Sequence, residues 1–313
     1  MRERSASIAT APDARTKGLQ RRWRVNERVI EGGIFLASLL AIVVLLGIVA
    51  VLLRQGLPIF SHTPPWEFLF GTQWYPVSEP PTFGTTTFFV ATIWVTVVAT
   101  VIAVPIGVAC AAYLAEVAPS SVRESVKPVI ELLAGIPSVV IGFIGLLLLS
   151  PLVQSMFNLN TGLSGLAAGI MLSLMSLPII VSVSEDALRA IPDEFRQAAY
   201  ALGATKWEVV RHVSIPAALS GISAAIMLGV GRAIGETMTV LMIAGGALAV
   251  PVSPTQPMMP MTAAIASGIG NAVRGGLQYQ ALFAIGLMLF LMTLAVNLIA
   301  DRVLERQKRR FVR

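Results

Sequence analysis

The sequence predicts an all-α polytopic membrane protein with six transmembrane helices. Three observations carry that prediction. Of 313 residues, 55% are hydrophobic and only 13% charged, with a mean hydropathy of +0.77. A soluble domain of this length does not have that composition. The apolar residues are gathered into six runs, each close to the roughly 20 residues a helix needs to cross a bilayer. Lysine and arginine fall almost wholly in the segments on one side of those runs.

Residues 1–28 are polar and carry eight Lys or Arg, which predicts a disordered tail or one lying on the inner membrane surface. The first apolar run, about residues 32–53, is too long for a signal-peptide core, and no small-x-small cleavage site follows. It reads as an uncleaved anchor. Residues 54–86 hold six prolines, Trp66 and Trp74, as expected of an external loop with aromatics at the interface. Span two is expected at about 87–112. Span three, about 129–152, is interrupted by Gly135, Ile136 and Pro137. Span four is expected at about 163–183, span five at about 218–245 and span six at about 279–300. Between the last two lies a predicted external loop, 247–278, with Pro251, Pro254, Pro257 and Pro260.

Six spans put both ends on one side. The N-terminal tail, the 118–127 link, the 184–217 loop and the C-terminal tail together hold twenty Lys or Arg; the opposite loops hold Arg54 and Arg274. Positively charged loops stay in the cytoplasm. The sequence therefore predicts a multi-pass protein of the bacterial inner (plasma) membrane with both termini cytoplasmic. The formal charge of +6 sets topology and is no sign of a nucleic-acid partner.

The cytoplasmic stretch 191–219 has the densest local signals. Pro192 can open a helix, because its missing N–H is not needed there. Phe195, Ala198, Ala199 and Leu202 follow at i, i+3, i+4 and i+7, one apolar stripe, while Asp193, Glu194, Arg196 and Gln197 take the other faces. Gly203 stands where such a helix stops. Thr205 and Glu208 have capping-box spacing, so a second helix starts at once, with Trp207, Val210 and Val213 expected on its buried side. Pro216 closes the unit. Two short helices with an elbow make a docking surface; the stretch contains no catalytic grouping.

One cationic side chain sits inside a span. Arg232, in Gly229-Val230-Gly231-Arg232-Ala233-Ile234-Gly235-Glu236-Thr237, is expected about midway along span five, with Glu236 four residues on and hence on the same helix face. A charge at that depth is costly unless paired or wetted. The pair either locks two helices or forms a mid-membrane anion site, in which Arg232 faces an oxyanion and Glu236 holds the guanidinium when the site is empty. Gly229, Gly231 and Gly235 would admit a close helix or open a small cavity. Glu131 is expected near the inner interface, as a gate or as a snorkelling carboxylate at a helix start. Gly135 and Pro137 would bend the helix and free backbone groups to line a path.

Several chemistries are excluded. No lysine follows a glycine, so no Gly-Lys-Ser/Thr phosphate loop exists; if the protein works by ATP, another subunit must bind it. The single cysteine, Cys110, rules out an internal disulfide and a cysteine-cluster metal site. Gly162-Leu163-Ser164-Gly165 matches a serine-nucleophile pattern, but His62 and His212 lie in loops on opposite sides of the membrane, so no base reaches it. No cofactor, metal ligand set or catalytic residue is predicted.

The 197–216 stretch resembles the E-A-A-x3-G-x9-I-x-L-P loop of permease subunits of binding-protein-dependent ABC importers. Ala198, Ala199, Gly203 and Pro216 match; Gln197, Val213 and Ile215 replace the motif's Glu, Ile and Leu. Residues 131–138 (Glu-Leu-Leu-Ala-Gly-Ile-Pro-Ser) and 232–237 (Arg-Ala-Ile-Gly-Glu-Thr) resemble stretches of phosphate-specific ABC permeases. The segments 238–246 and 261–266 favour the PstC-type subunit over the PstA type. The resemblance covers about residues 83–301. It implies the type I ABC importer permease fold and a subunit that moves inorganic phosphate into the cell without itself being an enzyme. It implies three kinds of partner besides the lipid bilayer: a homologous second permease (PstA type), two ATPase subunits (PstB type) and a periplasmic phosphate-binding protein (PstS type). It assigns ATPase coupling to Gln197, Ala198, Ala199, Gly203, Thr205, Trp207, Glu208 and Pro216, and phosphate passage to Arg232 and Glu236.

On that resemblance the chain divides into a basic tail (1–28), an accessory first transmembrane helix (29–56), a periplasmic loop (57–86), a transmembrane domain (87–301) with coupling loop 191–216, and a basic tail (302–313). Two rival readings keep the membrane setting. An ABC permease for molybdate, sulfate or phosphonate would use the same guanidinium chemistry. An ATP-independent secondary transporter would not need the coupling loop.

Overall fold

The computed structural model describes the backbone of residues 14–311 and the side chains of residues 30–302 and 305. The fold is all-α apart from a two-stranded antiparallel ribbon, β1 (Trp74–Tyr75) with β2 (Thr82–Phe83). Five helical stretches among the described residues are long and apolar enough to cross a membrane, and a sixth arises if one pair bent by 72° is counted as a single span.

Helix α1 (Ala14–Gly56) carries the first span. It begins well before residue 29, so helix replaces the irregular tail expected from 14 onward; residues 1–13 lie outside the described residues. The polar residues here are good helix formers, and continuation from an already nucleated helix is cheap. From Ile34 to Val51 the helix exposes its apolar side chains, as a lipid-facing helix does.

From Leu52 onward the chain forms the second compact unit. The segment after α1 makes a 3-10 turn (Leu57–Ser61) and α2 (Pro65–Phe70), then the ribbon. The predicted external loop is therefore folded. Trp74 is buried, with its ring 5.1 Å from Phe88 and 5.7 Å from Phe83, both edge-on, whereas Trp66 is exposed.

Helices α3 (Thr86–Ala112), α7 (Gly165–Arg189) and α11 (Leu219–Gly235) form the centre. Small residues let them approach: a Cβ on Gly169 would meet Val98, one on Gly229 would meet Ile180, and one on Gly221 would meet Ala187. Close contact through small residues is how helices associate where lipid is as apolar as their side chains.

Span three departs from expectation. Helix α4 (Ser120–Ala134) stops at Gly135, and α5 (Ser138–Ile144) starts after Pro137. The spanning stretch is Ser138–Phe157, with a π-type turn (Gly145–Leu149) leading into α6 (Ser150–Phe157). A proline keeps its predecessor out of helical geometry, so it separates two helices here rather than bending one. With Arg123, Glu124, Lys127 and Glu131 on its faces, α4 has no buried residue.

The coupling stretch contains α8 (Asp193–Ala201), α9 (Lys206–Val209), a π-type turn (Val210–Ser214) and α10 (Ile215–Ala217). Span five then breaks: α11 ends at Gly235 and α12 (Met238–Ile243) restarts beyond Thr237. The predicted external loop 247–278 holds α13 (Met261–Ile269), whose Met261, Thr262, Ala263 and Ala264 are buried against the helices around it. Its prolines end at Pro260, which sits at the helix N-cap. Helix α14 (Leu277–Phe311) carries span six and runs on through the basic tail.

Candidate functional site

The membrane site is built on the break in span five. Glu236 has left the helix, at φ −71° and ψ 132°. Arg232 therefore lies in the last turn of α11, not midway along a continuous helix, and the shared i, i+4 face does not exist. No ion pair joins Arg232 to Glu236 among the described residues. The Nε of Arg232 is buried with no hydrogen-bond partner, while the residue as a whole is half-buried. The three glycines split in role. Gly229 is pressed against Ile180, but a Cβ on Gly231 or Gly235 would meet nothing within 4 Å. Arg232 thus belongs to a helix end at which two glycines have open space beside them.

The freed backbone at the break is tied down from two directions. Thr262 of α13 donates its hydroxyl to the Glu236 carbonyl at 2.7 Å. Thr239 of α12 donates its hydroxyl to the Ser138 carbonyl at 3.0 Å. The Thr239 N–H points to Glu236 Oε1 at a long 3.5 Å. The interruption read from sequence at 135–137 and the break at 235–237 found in the structure therefore meet in space. Irregular backbone at membrane depth is tolerated where protein groups or a water-lined cavity satisfy it. Glu131 is not brought here. It lies exposed on α4, outside the span, with no hydrogen bond or ion pair among the described residues.

The elbow in 191–216 follows its sequence signals closely. Gly203 has φ +86°, the left-handed region. Thr205 and Glu208 form the capping box: Glu208 Oε2 accepts from Thr205 N at 2.8 Å, and Glu208 N donates to Thr205 Oγ1 at 3.4 Å. Hydrogen bonds from the Thr205 backbone and then its side chain hold the Glu208 carboxyl below its ordinary 4.5.

The stripe on α8 faces outward: Phe195 is 57% exposed and Leu202 90%. Trp207, expected on the buried side of the second helix, is 67% exposed. Val210 is buried as expected and Val213 half-buried, while Val209 takes the place expected of Trp207. The four-residue α9 passes straight into a π-type turn, whose wider winding shifts the buried face away from an ideal helical count. The elbow thus leaves Phe195, Tyr200, Leu202 and Trp207 exposed among the described residues, a concentration of apolar surface of the kind that marks an interaction site.

Two ionic clusters were not found by sequence reading. Arg196 bonds Glu116 at 2.9 Å and Asp193 at 3.0 Å, and donates to the carbonyls of Leu188 and Ile191. The Glu116 hydrogen bonds, the largest cause, raise the Arg196 pKa above its ordinary value. Lys127 of α4 lies 2.6 Å from both Glu185 and Asp186 of α7, and Glu185 is fully buried. Glu185 stands four residues before Arg189, a spacing visible in sequence; its pairing with Lys127, 58 residues away, is not.

Comparison with known proteins gives a consistent picture. The model of the family described as "Binding-protein-dependent transport system inner membrane component" matches residues 103–313. Probable ABC transporter permease protein YqgH of Bacillus subtilis is 37% identical over 277 residues, 88% of each chain. Phosphate transport system permease protein PstC of Mesorhizobium japonicum is 37% identical over 289 residues, covering 86% of this chain and 88% of that one. Among solved structures, a bacterial alginate ABC transporter aligns over 93% of this chain and 96% of its own, with a TM-score of 0.60 at 14% identity. The MetNI methionine ABC transporter aligns over 72% and 94%, with a TM-score of 0.53 at 21% identity. At those identities the solved structures establish the fold.

Proposed function

We infer the function from a premise: the chain belongs to the family of binding-protein-dependent transport system inner membrane components. It is a transmembrane permease subunit of an ABC importer, a transport component, and the solute it carries is inorganic phosphate. The observation that carries the choice of solute is Arg232. It is the only Lys or Arg within the broken span, its Nε has no partner among the described residues, and the nearby Gly231 and Gly235 have open space beside them. A guanidinium so placed offers a tetrahedral oxyanion charge and several donors at once. The naming of similar permeases as phosphate transporters supports phosphate among such anions.

In this reading the subunit works with a homologous PstA-type permease, two PstB-type ATPases and a PstS-type periplasmic phosphate-binding protein. Both termini and the 191–216 loop face the cytoplasm. The exposed apolar residues of α8 and α9 seat in an ATPase subunit. Closure of the ATPases on ATP moves these helices and switches the pathway from inward- to outward-facing. Phosphate released from outside passes Arg232, whose charge offsets the cost of taking the anion out of water. Glu236 contributes through the α11–α12 break rather than as a resting counter-ion.

The test is radiolabelled phosphate uptake in cells lacking this chain and in cells with it restored. Uptake should depend on the chain and resist competition by sulfate and molybdate. Equal competition by either would reassign the solute to another oxyanion.

A further inference from the structure

Helix α4 is attached unusually. None of its residues is buried, and it packs against α7. Its ionic attachment is Lys127, clamped between Glu185 and Asp186 near the cytoplasmic end of α7. Beside this clamp the helices do not close on one another. An apolar cleft of about 370 Å³, open to the surface of the chain, lies between α3, α4, α5 and α7, with Ile106, Cys110, Ile130, Leu133, Leu177 and Val181 on its walls. Close-packed interiors resist movement, whereas a cleft leaves room for it.

The two ends of this arrangement matter. Three residues beyond Glu185, the Leu188 carbonyl accepts from Arg196 of α8, so the same helix end holds the coupling elbow. The far end of α4 leads through Gly135, Ile136 and Pro137 to Ser138, whose carbonyl accepts from Thr239 beside the Arg232 site. Hydrogen bonds to Asp186 and then Glu185 raise the Lys127 pKa above its ordinary 10.5, so the Lys127 ammonium keeps its charge at physiological pH.

We propose that Lys127, with Glu185 and Asp186, is a positioning cluster on which α4 pivots into the adjoining cleft, carrying movement of the coupling elbow to the break beside Arg232. The proposal rests on the permease reading above for the existence of the ATPase-driven movement, though not on the identity of the solute.

The test uses the complete importer in proteoliposomes, with Lys127→Met, Lys127→Arg, and Lys127→Met combined with Glu185→Gln. Cys110, the single cysteine of the chain, is exposed and lines the cleft, so it reports α4 directly. N-ethylmaleimide labelling of Cys110 should change about fivefold when nucleotide is trapped with vanadate, a span typical of coupled sites. Lys127→Met should remove that change and raise the ATP hydrolysed per phosphate imported about tenfold. Lys127→Arg should restore most of both. Removing Lys127 alone leaves a buried carboxylate short of its partner and can prevent assembly; the double variant removes both charges and should assemble yet stay uncoupled. Parent-like labelling changes in the Lys127→Met complex would overturn the proposal. So would an equal fall of ATPase and uptake, an unresponsive Cys110 in the parent, or failure of the double variant to assemble. If the parent imports no phosphate while Cys110 still responds through Lys127, the solute assignment falls and the pivot stands.

Discussion

Arg196 on α8 and Glu116, in the π-type turn Tyr113–Val117 that follows α3, form a largely buried ion pair, Nη2 to Oε1 2.9 Å apart, with side chains only 14% and 5% exposed. The same guanidinium caps the carbonyls of Leu188 and Ile191. One side chain thereby fixes the coupling helix to the ends of two membrane helices.

Arg196→Met should therefore detach α8 while leaving the spans intact. Breaking one partner of a buried pair costs about 3 kcal/mol or more. The check is a double-mutant cycle with Glu116→Gln, read by resistance of the purified subunit to denaturant. A double mutant no weaker than Glu116→Gln alone is the expected sign of direct pairing.

Gly203 gives a sharper contrast. A Cβ there would meet no atom within 4 Å, so a substitution is opposed by backbone conformation alone. Gly203→Val should strain the left-handed position by about 1–2 kcal/mol and reduce ATPase retention on purification. Gly203→Asn, which tolerates that conformation, should retain it. Equal loss in both would contradict the docking role of the elbow.

Arg232→Gln should lower phosphate uptake about a hundredfold, since the anion would then meet the membrane interior without a countercharge. Because Arg232 and Glu236 form no ion pair, adding Glu236→Gln should not rescue it. Uptake is compared at equal subunit levels on membrane blots. A double mutant transporting like the parent would make Arg232 structural.

The capping box predicts a pH dependence. The folded Glu208 carboxyl lies below 4.5, its unfolded value, so its contribution is present above pH 4.5 and lost as pH falls through the lower folded value. Protection of the Thr205 amide from hydrogen exchange, corrected for intrinsic rates, should hold between pH 7 and 5 and fall in stronger acid. Glu208→Ala should abolish it at every pH.

Where one residue type at a short spacing was enough, reading the chain worked. The apolar runs, the positive φ at Gly203 and the Thr205–Glu208 box follow from interactions within a few residues, and such interactions look alike in any fold. The same holds for the interruption at 135–137, whose consequence was nevertheless misjudged: hydropathy averaged the end of α4 into span three. A proline-rich stretch likewise concealed α13, whose burial comes from α3, α12 and α14 closing around it.

Helical counting placed Glu236 beneath Arg232, and it failed because the helix unwinds between them. Nothing in residues 229–237 announces that break; the partners that stabilise it, Thr262 and Ser138, come from α13 and the start of α5. The pairings of Lys127 with Glu185 and Arg196 with Glu116 cross 58 and 80 residues. Periodicity reports which face of a helix is apolar. It carries no information on which distant charge a helix will meet, because that depends on how the helices pack, and a buried charge accepts whichever partner the packing brings within reach.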